Sequence, residues 1–524
     1  MKKLHSLLAL SWLLTSALRA ELIIPAIIGD HMVLQQKQSD PIWGWDTPGT
    51  KIAVTFAGQN YSTTAGADGK WTVKLAPLPA NATPQTLTVS GSTRREIRDV
   101  LIGEVWMCSG QSNMQLQLAF ERNGDLETAE AELPNLRLIT VPKLGTQELQ
   151  NDFKGQWQAS TPETVRGFSA VGFLFGRYLG EVLKVPVGLI NNSWGASQAE
   201  AWVRRSALQS DPRFKALMDA TLKREAELKS EKGQAAFAKA MAEWKSASEK
   251  AKAEGKTPPR PPTQWLTGQY FAGNVFAGVL HPTIGFGIKG VIWYQGESNA
   301  VGAYQYASLF PFLIEQWRKE WGQGDFPFYW VQLANYQTAY HLPAGDSYWA
   351  ELREAQTKAM RLPNTGQAVT IDLGEGSDIH PKNKHDVAAR LVRWPLVKDY
   401  GMNLPYHSPE FKGLTIASNK ALVAFDCFGS GLRPFGVPEA LGFALCGADR
   451  VWHLAKGTMV GTNEVEVCSS EVAAPIAVRY AWADNPVCNL YSSDGLPVTP
   501  FRTDNFKMTT EPKAPPSPSR AHKE

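Results

Sequence analysis

Beyond its first twenty residues, the 524-residue chain lacks any apolar run approaching the ~20 residues that a membrane-spanning helix needs. It also lacks a charge of one sign: 53 Lys and Arg against 50 Asp and Glu leave a net +3, which removes charge as an argument for nucleic acid. Cysteine is sparse, at five residues, and no two of them stand in the C-x-x-C spacing of a zinc site. What is there is globular material. Hydrophobic residues make up 43% and charged residues 20%, and at roughly 150 residues per domain the length predicts two to four domains. Eighteen tryptophans are many for this length, and exposed ones suit the flat apolar faces of sugars.

Residues 1–20 read as a secretory signal peptide: Lys2 and Lys3, an apolar run from Leu4 to Leu18, and small residues at Ala17 and Ala20. The mature protein is expected to be exported, periplasmic or secreted, without stable membrane insertion. Cys427, Cys446, Cys468 and Cys488 cluster late, and in an exported chain they can form two disulfides, with three pairings open. Cys108 lies in an apolar run and reads as a buried small hydrophobe.

Short β-type runs separated by Gly, Asn, Asp and Pro turns predict an N-terminal β module over 21–99. Over 100–404, strand-like apolar runs alternate with helical stretches, the pattern of an α/β layer with a mainly parallel sheet. An Ala-, Lys- and Glu-rich insertion at about 206–262, closed by Pro258-Pro259-Arg260-Pro261-Pro262, reads as a helical hairpin with a solvated face. Short strands return over 405–510 as a second β module, and 511–524 read as a disordered tail. Gly285, Gly287 and Gly290 spell G-x-G-x-x-G, but a strand follows them where a dinucleotide site needs a helix. His380 and His385, five apart, do not share a helical face as a metal pair would.

Polar residues recur at the C-terminal ends of the predicted core strands. The first strand, from Val100, runs into Cys108-Ser-Gly-Gln-Ser-Asn-Met-Gln115. Ser112 there is placed as a nucleophile, where backbone N–H groups face developing negative charge, although Met114 stands where a G-x-S-x-G elbow needs glycine. Ile190-Asn-Asn-Ser-Trp-Gly-Ala-Ser197 offers Gly195, whose N–H can approach a substrate oxygen closely. Gly290-Val-Ile-Trp-Tyr-Gln-Gly-Glu-Ser-Asn299 offers Gln295 and Asn299 as amide donors. Ile371-Asp-Leu-Gly-Glu-Gly-Ser-Asp-Ile-His-Pro381 supplies His380 as a base, with Asp378 two residues before it.

Taken in order, these four blocks resemble the SGNH hydrolase superfamily and, within it, the sialate O-acetylesterase family; Arg479-Tyr-Ala-Trp-Ala-Asp-Asn-Pro486 extends the resemblance over nearly the whole mature chain. The resemblance implies a flavodoxin-like three-layer α/β/α core with a parallel sheet, flanked by N- and C-terminal β-rich, sandwich-like modules. It implies Ser112 as nucleophile and His380 as base, with no metal or organic cofactor. The oxyanion would be held by the Ser112 and Gly195 N–H groups and by Gln295, which takes the place of the family's usual asparagine, with Asn299 as the lesser candidate. Gln111, Asn113, Trp293 and Tyr294 are the candidate substrate contacts, although packing in the sheet accounts equally well for the two aromatics. The third catalytic carboxylate stays open between Asp378 and Glu297, because Ser377 stands three residues before the histidine. The implied partner is an O-acetylated carbohydrate: 9-O-acetylated sialic acid first, acetylated xylan or another polysaccharide second. A non-catalytic glycan-binding protein is the third reading.

Overall fold

The computed structural model describes residues 21–263, 265–339 and 345–512, so the leader and nearly all of the expected tail lie outside the described residues. The strands of the central layer are β1 (Arg94–Gly110), β2 (Leu133–Thr140), β3 (Val187–Asn191), β4 (Gly290–Tyr294), β5 (Phe328–Val331) and β6 (Thr365–Ala368). The helices used below are α1 (Ser112–Gln115), α2 (Ala170–Leu183), α3 (Lys215–Lys229), α4 (Glu231–Ala253), α5 (Ala303–Trp321), α6 (Tyr348–Lys358) and α7 (Lys384–Lys398).

The six strands are hydrogen-bonded in the order β6-β5-β4-β1-β3-β2, and every neighbouring pair is parallel. Strands buried on both faces need apolar residues at successive positions. In β1, Trp106 and Cys108 pack with Phe175 of α2 and with Leu391 and Trp394 of α7. Val105 and Met107 point into the opposite layer, with Leu313 and Trp317 of α5. The result is the three-layer α/β/α arrangement. The chain order reverses at β1: β3 adds on one side and β4 on the other. A crevice at the C-terminal end of such a switch strand is where ligands bind in open α/β sheets.

β1 also belongs to the N-terminal module. Its first part pairs antiparallel with Asn81–Ser90, and its last part pairs with β3 and β4. The boundary expected between residues 99 and 100 thus falls inside one 17-residue strand. At that point Asp99 has φ 55°, and its carboxylate is gripped by the buried Arg137 of β2. The helix-rich insertion forms α3 and α4, joined at Ser230, whose Oγ accepts the Gly233 N–H at 3.1 Å as a helix cap. The Pro-rich return lies along α4, where Trp244 Nε1 donates to Pro259 O at 2.8 Å.

After residue 409 the described residues form a seven-stranded sheet with antiparallel neighbours. Its four cysteines are free thiols, so the expected pair of disulfides is not formed. Strand register shows why for one possible pair. Cys446 lies opposite Trp452 and Cys468 opposite Lys456, on either side of the same strand. Four residues along a strand separate them by about 13 Å, and a disulfide needs Cα atoms within about 7 Å.

The C-terminal sheet is locked to the core by Arg353 of α6, which is fully buried. Its guanidinium donates to Leu333 O (2.8 Å) and Ala334 O (3.0 Å) in the core, and to Ala483 O (2.7 Å) and Asp484 O (2.9 Å) in the C-terminal module. Burial pulls its pKa down to about 9, against the opposing charge of Asp484. Replacing it with Met leaves Leu333 O and Ala483 O without a donor, while Ala334 O keeps Trp349 Nε1 (2.8 Å) and Asp484 O keeps the Tyr336 N–H (3.1 Å), and at about 1–3 kcal/mol per orphaned group the cost is at least about 2 kcal/mol. Urea denaturation of Arg353→Met is expected to show that loss. A loss below about 1 kcal/mol contradicts the bridging role.

Asp40, in the N-terminal module, is buried, and that burial pushes its carboxyl from the ordinary 3.8 up to about 7; a hydrogen bond from Gln38 opposes the shift. The folded state therefore holds this proton more tightly than the unfolded chain does. The stabilisation is complete below pH 3.8 and is lost as pH rises through about 7. Asp40→Asn should flatten this part of the stability profile, giving a variant more stable than wild type at pH 8 by thermal melting and no more stable at pH 4.

Candidate active site

Gly110 ends β1 at φ 132°, and a Cβ there would lie 2.2 Å from Tyr294 O in β4. Only glycine lets β1 turn out of the sheet while its end stays paired with β4. Gln111 and the short helix α1 follow, so Ser112 emerges at the switch point. His380 comes from the loop between β6 and α7. Across 268 positions of sequence, His380 Nε2 lies 2.9 Å from Ser112 Oγ, which is hydrogen-bonding distance for a nucleophile and its base.

The histidine loop is fastened along its length. Asp372 forms a two-pronged ion pair with Arg390 (2.6 and 2.7 Å), Gly374 N–H donates to Asn335 Oδ1 (2.7 Å), and Lys382 N–H donates to Glu375 Oε1 (2.7 Å). Asn335 in turn donates to Asn485 Oδ1 (2.7 Å), and Asn485 donates to Gln337 O (2.6 Å). A residue of the C-terminal module thus braces the loop that carries His380.

Of the two competing carboxylates, Asp378 is the one beside the imidazole. Its Oδ1 lies 3.5 Å from His380 Nδ1 and accepts the His380 backbone N–H at 2.9 Å. The ring contact is longer than an ordinary hydrogen bond, and both side chains are more than two-fifths exposed. Glu297 is placed differently. Its Oε1 accepts from Asn113 Nδ2 at 2.6 Å, and no hydrogen bond joins it to His380 among the described residues. Burial raises the Glu297 pKa, opposed by the Asn113 hydrogen bond and by the positive charges of Lys384 and His380.

Several expected roles shift once the side chains are located. Trp293 and Tyr294 are wholly buried. Trp293 packs against Trp202 and Trp317 at ring distances of 5.5 and 5.7 Å, so these aromatics support the sheet and do not reach a substrate. Asn113 is buried too, and its amide binds Glu297, Ile379 O and Lys384. It is a brace where a substrate contact was expected. Gln295 is fully buried and spends both Nε2 hydrogens on Ser197 O (3.2 Å) and Asn299 Oδ1 (2.7 Å), so neither is left for an oxyanion. Asn299 Nδ2 donates to Glu200 Oε2 at 3.0 Å. Gln111 Oε1 accepts from the N–H groups of Gly296 (3.3 Å) and Ser298 (3.2 Å), which ties the end of β1 to the loop after β4. Gly195 does approach Ser112: a Cβ on it would lie 3.4 Å from Ser112 Cβ. Its N–H donates to Gln115 Oε1 at 2.6 Å.

Gln115 and Lys384 were missed from the sequence. Both had a positional signal: Gln115 is in the Ser112 block, one helical turn beyond Gln111, and Lys384 opens α7 four residues after His380. Burial pulls the Lys384 pKa down to about 7, opposed chiefly by the charge of Glu297.

The likenesses to known proteins run in the same direction. A family model described as carbohydrate esterase, sialic acid-specific acetylesterase, matches residues 234–391, which include Glu297, Asp378 and His380. The chain is 30% identical to a sialate O-acetylesterase of Mus musculus, over 90% of this chain and 93% of that protein. It is 29% identical to one of Homo sapiens, over 90% and 91%. A crystal structure of a carbohydrate acetylesterase from Xanthomonas citri superimposes with a TM-score of 0.78 at 37% identity, covering 93% of this chain and all of that one. With similarity extending over nine-tenths of both sequences and over the three layers that bring Ser112 to His380, the chain belongs to the sialate O-acetylesterase family and is a carboxylic ester hydrolase.

Proposed function

We propose that the protein is a serine esterase that removes O-acetyl groups from carbohydrate, with 9-O-acetylated sialic acid as its leading substrate, through an acetyl-Ser112 intermediate. The observation that carries this reading is the 2.9 Å approach of Ser112 Oγ to His380 Nε2 at the sheet's switch point. The same contact argues against a glycan-binding protein without catalysis. The family relatives in mouse and human, named for sialate O-acetyl hydrolysis, support the choice of sugar. The leader-like first twenty residues support action outside the cytoplasm.

In this mechanism Ser112 Oγ attacks the acetyl carbonyl carbon while His380 Nε2 takes the hydroxyl proton. The Ser112 N–H, at the first position of α1, has no partner within its own helix and faces the developing oxyanion. The Gly195 N–H joins it once the Gln115 carbonyl gives way. Collapse of the tetrahedral species breaks the bond to the sugar oxygen, and His380 returns the proton to that leaving group. Water then attacks the acetyl-enzyme with His380 again as base, releasing acetate and restoring Ser112. Asp378 favours the imidazolium that forms in both steps.

Acetate release from p-nitrophenyl acetate tests the core of this reading. Ser112→Ala and His380→Gln are each expected to lower kcat by more than about 1,000-fold with the fold intact by circular dichroism. Wild-type protein inert from about pH 6 to 9 rules the mechanism out. The sugar is decided by comparing kcat/KM on 9-O-acetylated sialic acid with that on acetylated xylo-oligosaccharides. A preference of at least about tenfold for the sialic acid is expected, equivalent to about 1.4 kcal/mol of transition-state binding. The reverse preference transfers the assignment to a polysaccharide acetylesterase.

A further inference from the structure

Asn113 and Lys384 are buried, and Glu297 half-buried, beside the catalytic pair, and none of them takes part in the steps above. They form one connected chain. Lys384 Nζ donates to Asn113 Oδ1 at 2.7 Å, and Asn113 Nδ2 donates both to Glu297 Oε1 at 2.6 Å and to the carbonyl of Ile379 at 3.0 Å. Lys384 is fully buried, and Nζ lies 5.2 Å from the ring centre of Tyr294, which forms the floor beneath it. These partners allow the amide only one orientation. Turned over, it would set its NH2 against the lysine, a donor, and its oxygen against Glu297 and a carbonyl, both acceptors.

The positions of these bonds are what matter. Asn113 is the residue after the nucleophile, and Ile379 is the residue before the base. A single hydrogen bond from Asn113 to Ile379 O thus spans the two backbones that carry the reacting groups, and the other two partners hold that amide at the angle required. Asp378, half-exposed and 3.5 Å from the imidazole, is a loose support by comparison.

We propose that Asn113 is a positioning residue that sets the Ser112–His380 distance by clamping Ile379 O, and that Lys384 and Glu297 act through it by fixing the orientation of its amide. The inference rests on the reading of Ser112 and His380 as nucleophile and base. It assigns Glu297 the role of a hydrogen-bond acceptor for Asn113, not that of the charged partner of the histidine. A misplacement of about 1 Å between reacting groups costs up to about 100-fold in rate, while substrate binding is left alone.

Steady-state kinetics of the full chain on p-nitrophenyl acetate tests the clamp, with Ser112→Ala as the control. Asn113→Ala is expected to lower kcat by about 100-fold with little change in KM. Lys384→Met and Glu297→Leu should each lower kcat by about tenfold or more, and Glu297→Gln, which keeps a carbonyl oxygen for Asn113, should restore most of what Glu297→Leu loses. Asn113→Ala within about threefold of wild-type kcat overturns the clamp. So does a Glu297→Gln enzyme as slow as Glu297→Leu, because the carboxylate charge would then be what catalysis needs. If Asn113→Ala does not fold, by circular dichroism, the Glu297 pair decides alone. Full activity in Ser112→Ala would instead remove the nucleophile assignment itself, an outcome distinct from failure of the clamp.

Discussion

The structure turns on the way β1 is enclosed. Its core half is covered on both faces by helices and paired along both edges, so its backbone groups find partners only if β3 and β4 keep their register. That requirement reaches to the last residue, where Gly110 sits against the Tyr294 carbonyl with no room for a side chain. A strand held this tightly is a fixed origin for the turn that follows, and Ser112 inherits the rigidity. The proposed nucleophile is placed by backbone hydrogen bonding and by the glycine at the strand end, independently of its contact with His380.

His380 is placed by other means. It stands on a loop, so its position is the sum of side-chain ties: Arg390 to Asp372, Asn335 to Gly374, Glu375 to Lys382, and Asn113 to Ile379. Each tie is individually modest, about 1 kcal/mol net for a neutral pair and more where a charge is involved. Together they restrict a segment that carries little apolar surface of its own. The proposed catalytic pair therefore joins one member fixed by the sheet to another fixed by a mesh of polar contacts.

The positions that sequence made legible are those whose chemistry depends on short contiguous blocks. Ser112 follows a strand end directly and His380 stands on the loop between the last core strand and a helix, and the α/β alternation placed both strand ends on one rim of a parallel sheet. Trp293, Tyr294 and Gln295 were less readable for a physical reason. Where a strand and the turn after it are enclosed on both faces, every side chain is buried, so periodicity carries no information on which of them reach a ligand. The role of Glu297 was hidden because its partner, Asn113, is almost two hundred residues away and meets it only through folding. The module boundary at residue 99 was invisible because the strand runs straight through it, and the late cysteines misled because count and compartment say nothing of register.

Arg353 and Asn485 give the C-terminal sheet a standing that its sequence pattern conceals. Appended β modules are commonly thought of as accessories, exchanged between enzymes to change what surface they adhere to. Here a guanidinium threaded among four carbonyls, and an amide leaning on the histidine loop, make that module part of what holds the loop in place. The sheet therefore cannot be detached without loosening the loop on which His380 stands, whereas the helices of the α3–α4 insertion present mostly exposed, charged faces and, among the described residues, share no hydrogen bond or ion pair with that loop.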